Sequence, residues 1–317
     1  DVAADLLQQD AANAPEALRI CREQVRGIVA AADPDGGWPE GVSYWSYAML
    51  PLLVFAECER DRGVDLFSQP YLREAGSFPL YLHLPPTSFA PICDGHSNGL
   101  SAGVLRRLAT AGRRRDLQWL SARCDGPTTP FDAIFDDQEL QPTPPTDLPC
   151  ARYFRGIDWA SVRSDWSDAA RVLVFRAGVN DGHSHLDASS FILHAYGDTL
   201  PEYWGRRQYE DAYFAAGGKS RYWWSDTRGH NCVLMDGQGQ QAKLGTKSHI
   251  THFLSGPHCD YIRSDATAAY PTKAAKVVRH VLFVRPDYFL VIDELAAQWP
   301  AQWDWRGQTR GTITPDA

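Results

Sequence analysis

VNDGHSHLDASSF (179–191) places two histidines one residue apart, an aspartate two residues on, and small polar residues ahead of an apolar run. It is the entry to a strand, since SFILHAYG (190–197) is short, rich in β-formers and closed by glycine. RVLVFRAG (171–178) and HNCVLMDG (230–237) have the same form, and VVRHVLFVRPDYFLVIDEL (277–295) reads as two strands joined across Arg285-Pro286-Asp287. Strand alternation would turn His183, His185 and Asp187 to one face. From the residues alone the cluster is a metal site, proton-transfer machinery or a polar turn.

Before about residue 125 the period is different. Leu18, Cys21, Val25, Ile28 and Val29 recur at helical spacing, as do Leu100, Val104, Leu105 and Leu108. YWSYAMLPLLVFAECE (44–59) is apolar nearly all round, which suits a helix inside a helical assembly, with Pro51 kinking it or marking its first turn. DDQELQPTPPTDLPC (136–150) is proline-rich and reads as a linker or extended crossing. The expected organisation is α+β and multidomain: helices over 1–135, the linker over 136–150, and an antiparallel β domain over 151–317.

The 317 residues allow a large core, and 44% hydrophobic with 22% charged residues is a globular composition. No run approaches the ~18 apolar residues of a membrane span. The net charge of −8 argues against nucleic-acid binding but leaves room for an acidic ligand in a locally basic cleft. Seven scattered cysteines without a CxxC pair exclude a thiol metal site or disulfide framework as the organising feature.

Two further clusters carry chemistry. In DGGWPEGVSYWSYAM (35–49) a glycine-proline turn and Glu40 lead into a helix whose Tyr44 and Tyr47 share a face. A tyrosine transfers protons only with a cationic or hydrogen-bonding partner, because its ordinary pKa is roughly 10. YWGRRQYEDAYF (203–214) and GGKSRYWWSDTRGHNCVLMDGQGQ (217–240) interleave Tyr209, Tyr213 and Tyr222 with Arg206, Arg207, Lys219, Arg221 and Arg228, ahead of His230-Asn231. That mixture suits stacking on sugar rings and pairing with carboxylates or sulfates. It also suits a solvated loop. GQGQ lacks the Lys-Ser/Thr of a phosphate loop.

HSHLDASSFILHAYG followed by RYWWSDTRGHNCVLMDGQGQ resembles the signature of the heparinase II/III-like polysaccharide lyases, and DGGWPEGVSYWSYA is similar to that family's segment in the helical half. The resemblance implies an incomplete (α/α) toroid packed on an antiparallel β-sheet or β-sandwich domain, with the site between them. It implies β-elimination on a uronic-acid glycan, of alginate or glycosaminoglycan type. The C5 proton is removed and the O4 bond leaves, giving an unsaturated uronate.

On that resemblance Tyr44 and His183 are the catalytic pair, with Tyr47 in reserve. Glu40, Tyr47, Tyr209, Tyr213 and Asn231 are substrate-binding candidates, and Arg206, Arg207 and Arg221 join them on charge and neighbourhood alone. The family's zinc would fall to His185 and His230, with Glu202 standing beside Tyr203 where an aspartate is expected. Such a zinc would be structural, no organic cofactor is implied, and Asp187 would orient one histidine. The family's upstream histidine has no match among the 43 residues before Tyr44. The chain is therefore expected to be truncated at both ends, or else to be an inactive glycan-binding relative. Hydrolysis by a carboxylate pair such as Asp35 and Glu40 ranks third. A bacterial, periplasmic or secreted location and an acidic polysaccharide partner follow from the family. Oligomeric state does not.

Overall fold

The computed structural model describes residues 14–124, 134, 137–180, 182–200, 209–215, 217–242 and 247–309. The first part of the chain is helical: α1 (Ala14–Ala31), α2 (Val42–Arg60), α3 (Pro70–Glu74), α4 (Ser77–Tyr81), α5 (Ala102–Gly112) and α6 (Arg115–Ser121). Between α4 and α5 runs a two-stranded hairpin, β1 (His83–Leu84) with β2 (Ser88–Phe89). No described helix is long and apolar enough to cross a membrane.

The strands that follow build two five-stranded antiparallel sheets. The first has the order β3 (Ala151–Phe154), β4 (Trp159–Arg163), β5 (Val172–Arg176), β7 (Ser190–Ala195), β8 (Asp198–Thr199). The second runs β13 (Tyr288–Ala297), β12 (Ala274–Val284), β11 (Cys259–Asp265), β10 (Lys247–Ser255), β6 (Gly178–Val179). A separate pair joins β9 (Val233–Met235) to β14 (Trp303–Trp305).

The composition of β5 explains the layering. All five of its residues are buried. Val172 and Val174 belong to the core shared with the helices, while Leu173 and Phe175 belong to a second core with Ile250, Ile262, Val281 and Phe283 of the other sheet. A strand buried on both faces needs a continuous apolar run rather than alternation. The chain is thus layered helices, sheet, sheet. The step from the first sheet to the second falls at Gly178, whose φ of +84° and 2.4 Å clearance between a hypothetical Cβ and the Ile157 carbonyl oxygen admit only glycine.

The crossing segment is tied to both halves. The Tyr81 hydroxyl donates to the Pro149 carbonyl at 2.9 Å, and the Trp166 indole donates to that of Leu148 at 3.2 Å. Two local expectations change. On α1 only Val29 of the periodic apolar residues is buried, and Leu18 and Ile28 are exposed. Val25, Ile28 and Val29 instead line an open apolar cleft of about 460 Å³ with Met49, Leu52 and Phe55 of α2. Pro51 lies in the middle of α2 and not in its first turn.

Candidate active site between the helical and sheet halves

Three segments converge. The first is the start of α2. Gly41 has φ +87°, and a Cβ there would stand 2.5 Å from the Ile92 carbonyl oxygen. This bend turns the chain from Glu40 into the helix and sets Tyr44 in its first turn. Glycine here therefore fixes both the helix entry and its contact with the loop after β2.

That loop carries Asp94, fully buried. Its backbone N–H donates to the His183 carbonyl at 3.1 Å, which joins the helical half to the histidine turn. The second segment, 182–189, is a turn and not yet a strand, since β7 begins at Ser190. His183 and His185 share a side because both reach the Asp94 carboxylate, not through strand alternation. His183 Nδ1 lies 2.9 Å from Oδ2, and His185 Nε2 lies 3.0 Å from Oδ1.

The third segment is 209–224. The Tyr209 hydroxyl donates to Asp94 Oδ2 at 2.8 Å and stands 2.8 Å from the Tyr44 hydroxyl and 3.1 Å from His183 Nδ1. The Tyr213 hydroxyl donates to Asp94 Oδ1 at 2.9 Å. The Tyr44 and His183 rings stack with centroids 4.2 Å apart, and Phe214 meets His183 edge-on at 5.6 Å. His183 Nε2 is the ring nitrogen on the Glu40 side, 3.9 Å from Glu40 Oε1. A cleft of about 300 Å³ lined by Ser43, Tyr44, Tyr47 and His96 opens beside them.

The electrostatics follow from this packing. Burial alone would raise the Asp94 carboxyl, but hydrogen bonds from His185, His183 and Tyr209 outweigh it and hold the group below its ordinary value. The Tyr209 hydroxyl is pushed up by burial, by its bond with Tyr44 and by the Asp94 charge. Tyr213 is pushed up by burial and by the same carboxylate. Both hydroxyls therefore hold their protons.

Of the sequence candidates, the structure brings together Tyr44, His183, Glu40, Tyr209 and Tyr213, with Tyr47 strongly exposed at the cleft. Tyr213 is buried, so it supports the site without lining it. Asn231 does not face the cleft. Its amide donates to the Phe191 carbonyl at 2.8 Å and its Oδ1 accepts from the Gln308 N–H, both in the interior. Arg221 lies exposed in a 3₁₀ turn beside Tyr222, with no described contact to the cluster. Arg206, Arg207 and Glu202 lie outside the described residues. Lys219 is spent on the histidine turn itself, donating to the carbonyls of Asn180 and Ser184.

Among the described residues, the partners of Asp187 at hydrogen-bond distance are Arg176 and Ser190 rather than a histidine. Asp187 forms a fully buried ion pair with Arg176 at 2.8 Å and accepts from the Ser190 hydroxyl at 2.8 Å. Burial would raise its carboxyl, but Arg176, together with His230, His185 and the Ser190 hydroxyl, takes it down to about 2. Asp94, His96 and Phe214 were missed as site residues. Asp94 sits in the unremarkable turn CDGH (93–96), and only the fold brings it to the histidines.

His185 Nδ1 and His230 Nε2 face each other at 3.2 Å, both side chains fully buried. Two nitrogens bound to one tetrahedral zinc at ~2.0–2.1 Å each would be roughly 3.3–3.4 Å apart, so this pair fits half of such a site. Burial lowers His230 to about 3 and keeps it neutral, as a metal ligand must be. Among the described residues no group of three ligating side chains is assembled.

A family profile for the heparinase II/III-like C-terminal domain matches residues 146–314, and the chain belongs to that family. Among solved structures, it is similar to the heparan sulfate lyase HepC from Pedobacter heparinus, with 18% identity and a TM-score of 0.63 over 90% of this chain and 42% of that one. It is similar also to a heparinase III, at 17% identity and a TM-score of 0.68 over 91% of this chain and 44% of that one. A further heparinase III gene product gives a TM-score of 0.72 at 17% identity, over 96% of this chain. The chain thus spans under half the length of these structures. Comparison with curated proteins finds no match.

Proposed function

We propose that the chain carries the active site of a lyase that cleaves a uronate-containing glycan by β-elimination, with heparan-type glycosaminoglycans the first substrates to test and alginate-type polyuronates the second. The single observation carrying this reading is the stack of Tyr44 on His183 at the cleft, its two proton-transfer groups meeting across the helical and sheet halves. Family membership supplies the reaction class. The names of the structural neighbours suggest the glycosaminoglycan.

In this reading His183 Nε2 takes the C5 proton. The electrons of that C–H bond form the C4=C5 double bond, the C4–O4 bond breaks, and O4 takes the proton of the Tyr44 hydroxyl. The imidazolium and phenolate so formed are neighbours, so one proton transfer between them resets both. Acid and base on one side of the substrate suit a syn-elimination. Glu40 Oε1 stands 3.9 Å from Nε2, on the side of the ring where the C5 proton would arrive. Tyr47, exposed at the cleft, offers a face for stacking on a sugar ring.

His185 and His230 would hold zinc, with Glu202 the proposed third donor. Such an ion would be structural, pinning the histidine turn to the entry of β9. A polymeric substrate cannot cross a membrane unaided, which supports a periplasmic or secreted location in a bacterium.

The test is ultraviolet absorbance during incubation with heparan sulfate, alginate, hyaluronan and pectate, using this chain and any longer protein that contains it. Rising absorbance from an unsaturated uronate supports the reading. Folded protein that is silent on every polymer in both forms refutes it.

A further inference from the structure

We infer that Asp94 is a positioning residue that commits His183 and His185 to opposite tautomers, His183 protonated on Nδ1 and His185 protonated on Nε2, and so fixes the direction of the hydrogen-bond chain that ends at Tyr44. The inference deepens the lyase reading and, for its catalytic part, rests on it. Its structural part stands on the geometry alone.

An ionised carboxylate only accepts hydrogen bonds. Asp94 is fully buried, and among the described residues four side-chain atoms lie within hydrogen-bond distance of its carboxylate. Oδ2 faces His183 Nδ1 at 2.9 Å and the Tyr209 hydroxyl at 2.8 Å. Oδ1 faces His185 Nε2 at 3.0 Å and the Tyr213 hydroxyl at 2.9 Å. Each of those four atoms must therefore be the donor.

The consequences run outward from there. In a neutral imidazole one nitrogen donates and the other accepts. His183 then presents an unprotonated Nε2 to the Glu40 side of the site, as a base requires. His185 presents an unprotonated Nδ1 to His230 Nε2, as a metal ligand requires. Because the Tyr209 proton is committed to Asp94, its oxygen is the acceptor in the 2.8 Å contact with Tyr44, and the Tyr44 proton points along that bond at rest. One carboxylate from the helical half thus assigns two adjacent histidines of the sheet half to two different jobs. Asp94 also faces the Nδ1–H of the imidazolium that proton abstraction would create on His183, so its charge stabilises that state.

The experiment is long-range proton–nitrogen NMR on chelator-treated protein labelled with ¹⁵N-histidine, at about pH 8, where free imidazole is neutral. The expected spectrum shows a protonated Nδ1 and bare Nε2 at His183, and the reverse at His185. The opposite assignment at either residue overturns the inference. Asp94→Asn offers one acceptor oxygen in place of two and should change the tautomer of at least one histidine. If a folded Asp94→Asn protein keeps both assignments, the inference also falls. Should that variant not fold, Tyr213→Phe serves instead. It removes one donor and leaves the carboxylate, so both tautomers must persist, and loss of either counts against the idea.

The catalytic part is read separately as formation of unsaturated uronate by the active protein. Asp94→Asn should lower kcat at least 10²-fold with KM changed less than about threefold, comparable to the loss of a positioned acid or base. Turnover within threefold of the parent, with the tautomers as assigned, removes the catalytic part and leaves the lyase reading standing. A parent protein that forms no unsaturated uronate removes the lyase reading and the catalytic part together, while the tautomers still decide the structural part.

Discussion

Asp187→Asn tests whether the histidine turn is held as described. The substitution keeps size and shape but removes the charge opposite Arg176, a guanidinium 1% exposed whose partner lies 2.8 Å away. Breaking one side of a buried ion pair costs roughly 3–5 kcal/mol, because the surviving charge is left uncompensated. An unfolding entropy of about 2.1 cal/mol/K per residue gives roughly 0.7 kcal/mol/K for 317 residues, hence a Tm lowered by roughly 4–8 °C. Arg176 keeps its bonds to Asn180 Oδ1 and the Val179 carbonyl, which favours the lower end.

The pH dependence has a defined sign. The folded carboxyl lies at about 2 against an ordinary 3.8, so the unfolded chain binds the proton more readily. The stabilisation, about 2–3 kcal/mol by linkage, is fully present above about pH 5 and is lost as pH falls toward 2. Thermal melts at pH 7 and at pH 3–4 should show the gap between parent and variant narrowing in acid. The pair Arg176→Met with Asp187→Leu should recover much of the loss, since apolar replacement of both charges removes the desolvation cost. A variant melting within about 1 °C of the parent at pH 7 would refute the reasoning.

Three further outcomes are expected. Tyr44→Phe keeps the ring stacked on His183 but removes the hydroxyl, so kcat should fall by about 10²–10⁴-fold with KM little changed; near-parental kcat in the active protein would remove Tyr44 from proton transfer. Zinc should raise the Tm of the parent and leave His230→Ala unmoved, as expected for a ligand that binds only the folded state; equal shifts in both would place the ion elsewhere. Gly41→Ala should lower Tm through left-handed backbone strain of ~1–2 kcal/mol plus the clash with the Ile92 carbonyl, and a melt equal to the parent's would show that the bend relaxes at no cost.

The strands were legible because their composition answers a simple physical demand. RVLVFRAG is buried on both faces and SFILHAYG nearly so. β13 alternates in exposure because one face of its sheet packs Phe289 and Val291 on the core and the other faces outward. Family motifs single out Tyr44, His183, His185 and His230, and the fold brings Tyr44 against His183 and His185 against His230. Asp94 was not legible. A lone aspartate in a glycine turn has no local signature, and its role arises only where the loop after β2 meets the histidine turn about ninety residues later. Asn231 misled for the converse reason: an amide next to a functional histidine looks like a ligand, yet satisfying the Phe191 carbonyl is what its position demands. The helical face of α1 was correctly periodic but borders an open cleft rather than a sealed core.

The most direct test of the central claim is mass analysis of the products formed from a defined heparan-type oligosaccharide by the longest protein that contains this chain, run in water enriched in ¹⁸O. Elimination predicts a new non-reducing end lighter by one water than the hydrolysis product, with no ¹⁸O built into the cleaved bond. A product of hydrolytic mass carrying ¹⁸O would contradict the account and put a carboxylate-assisted hydrolase in its place.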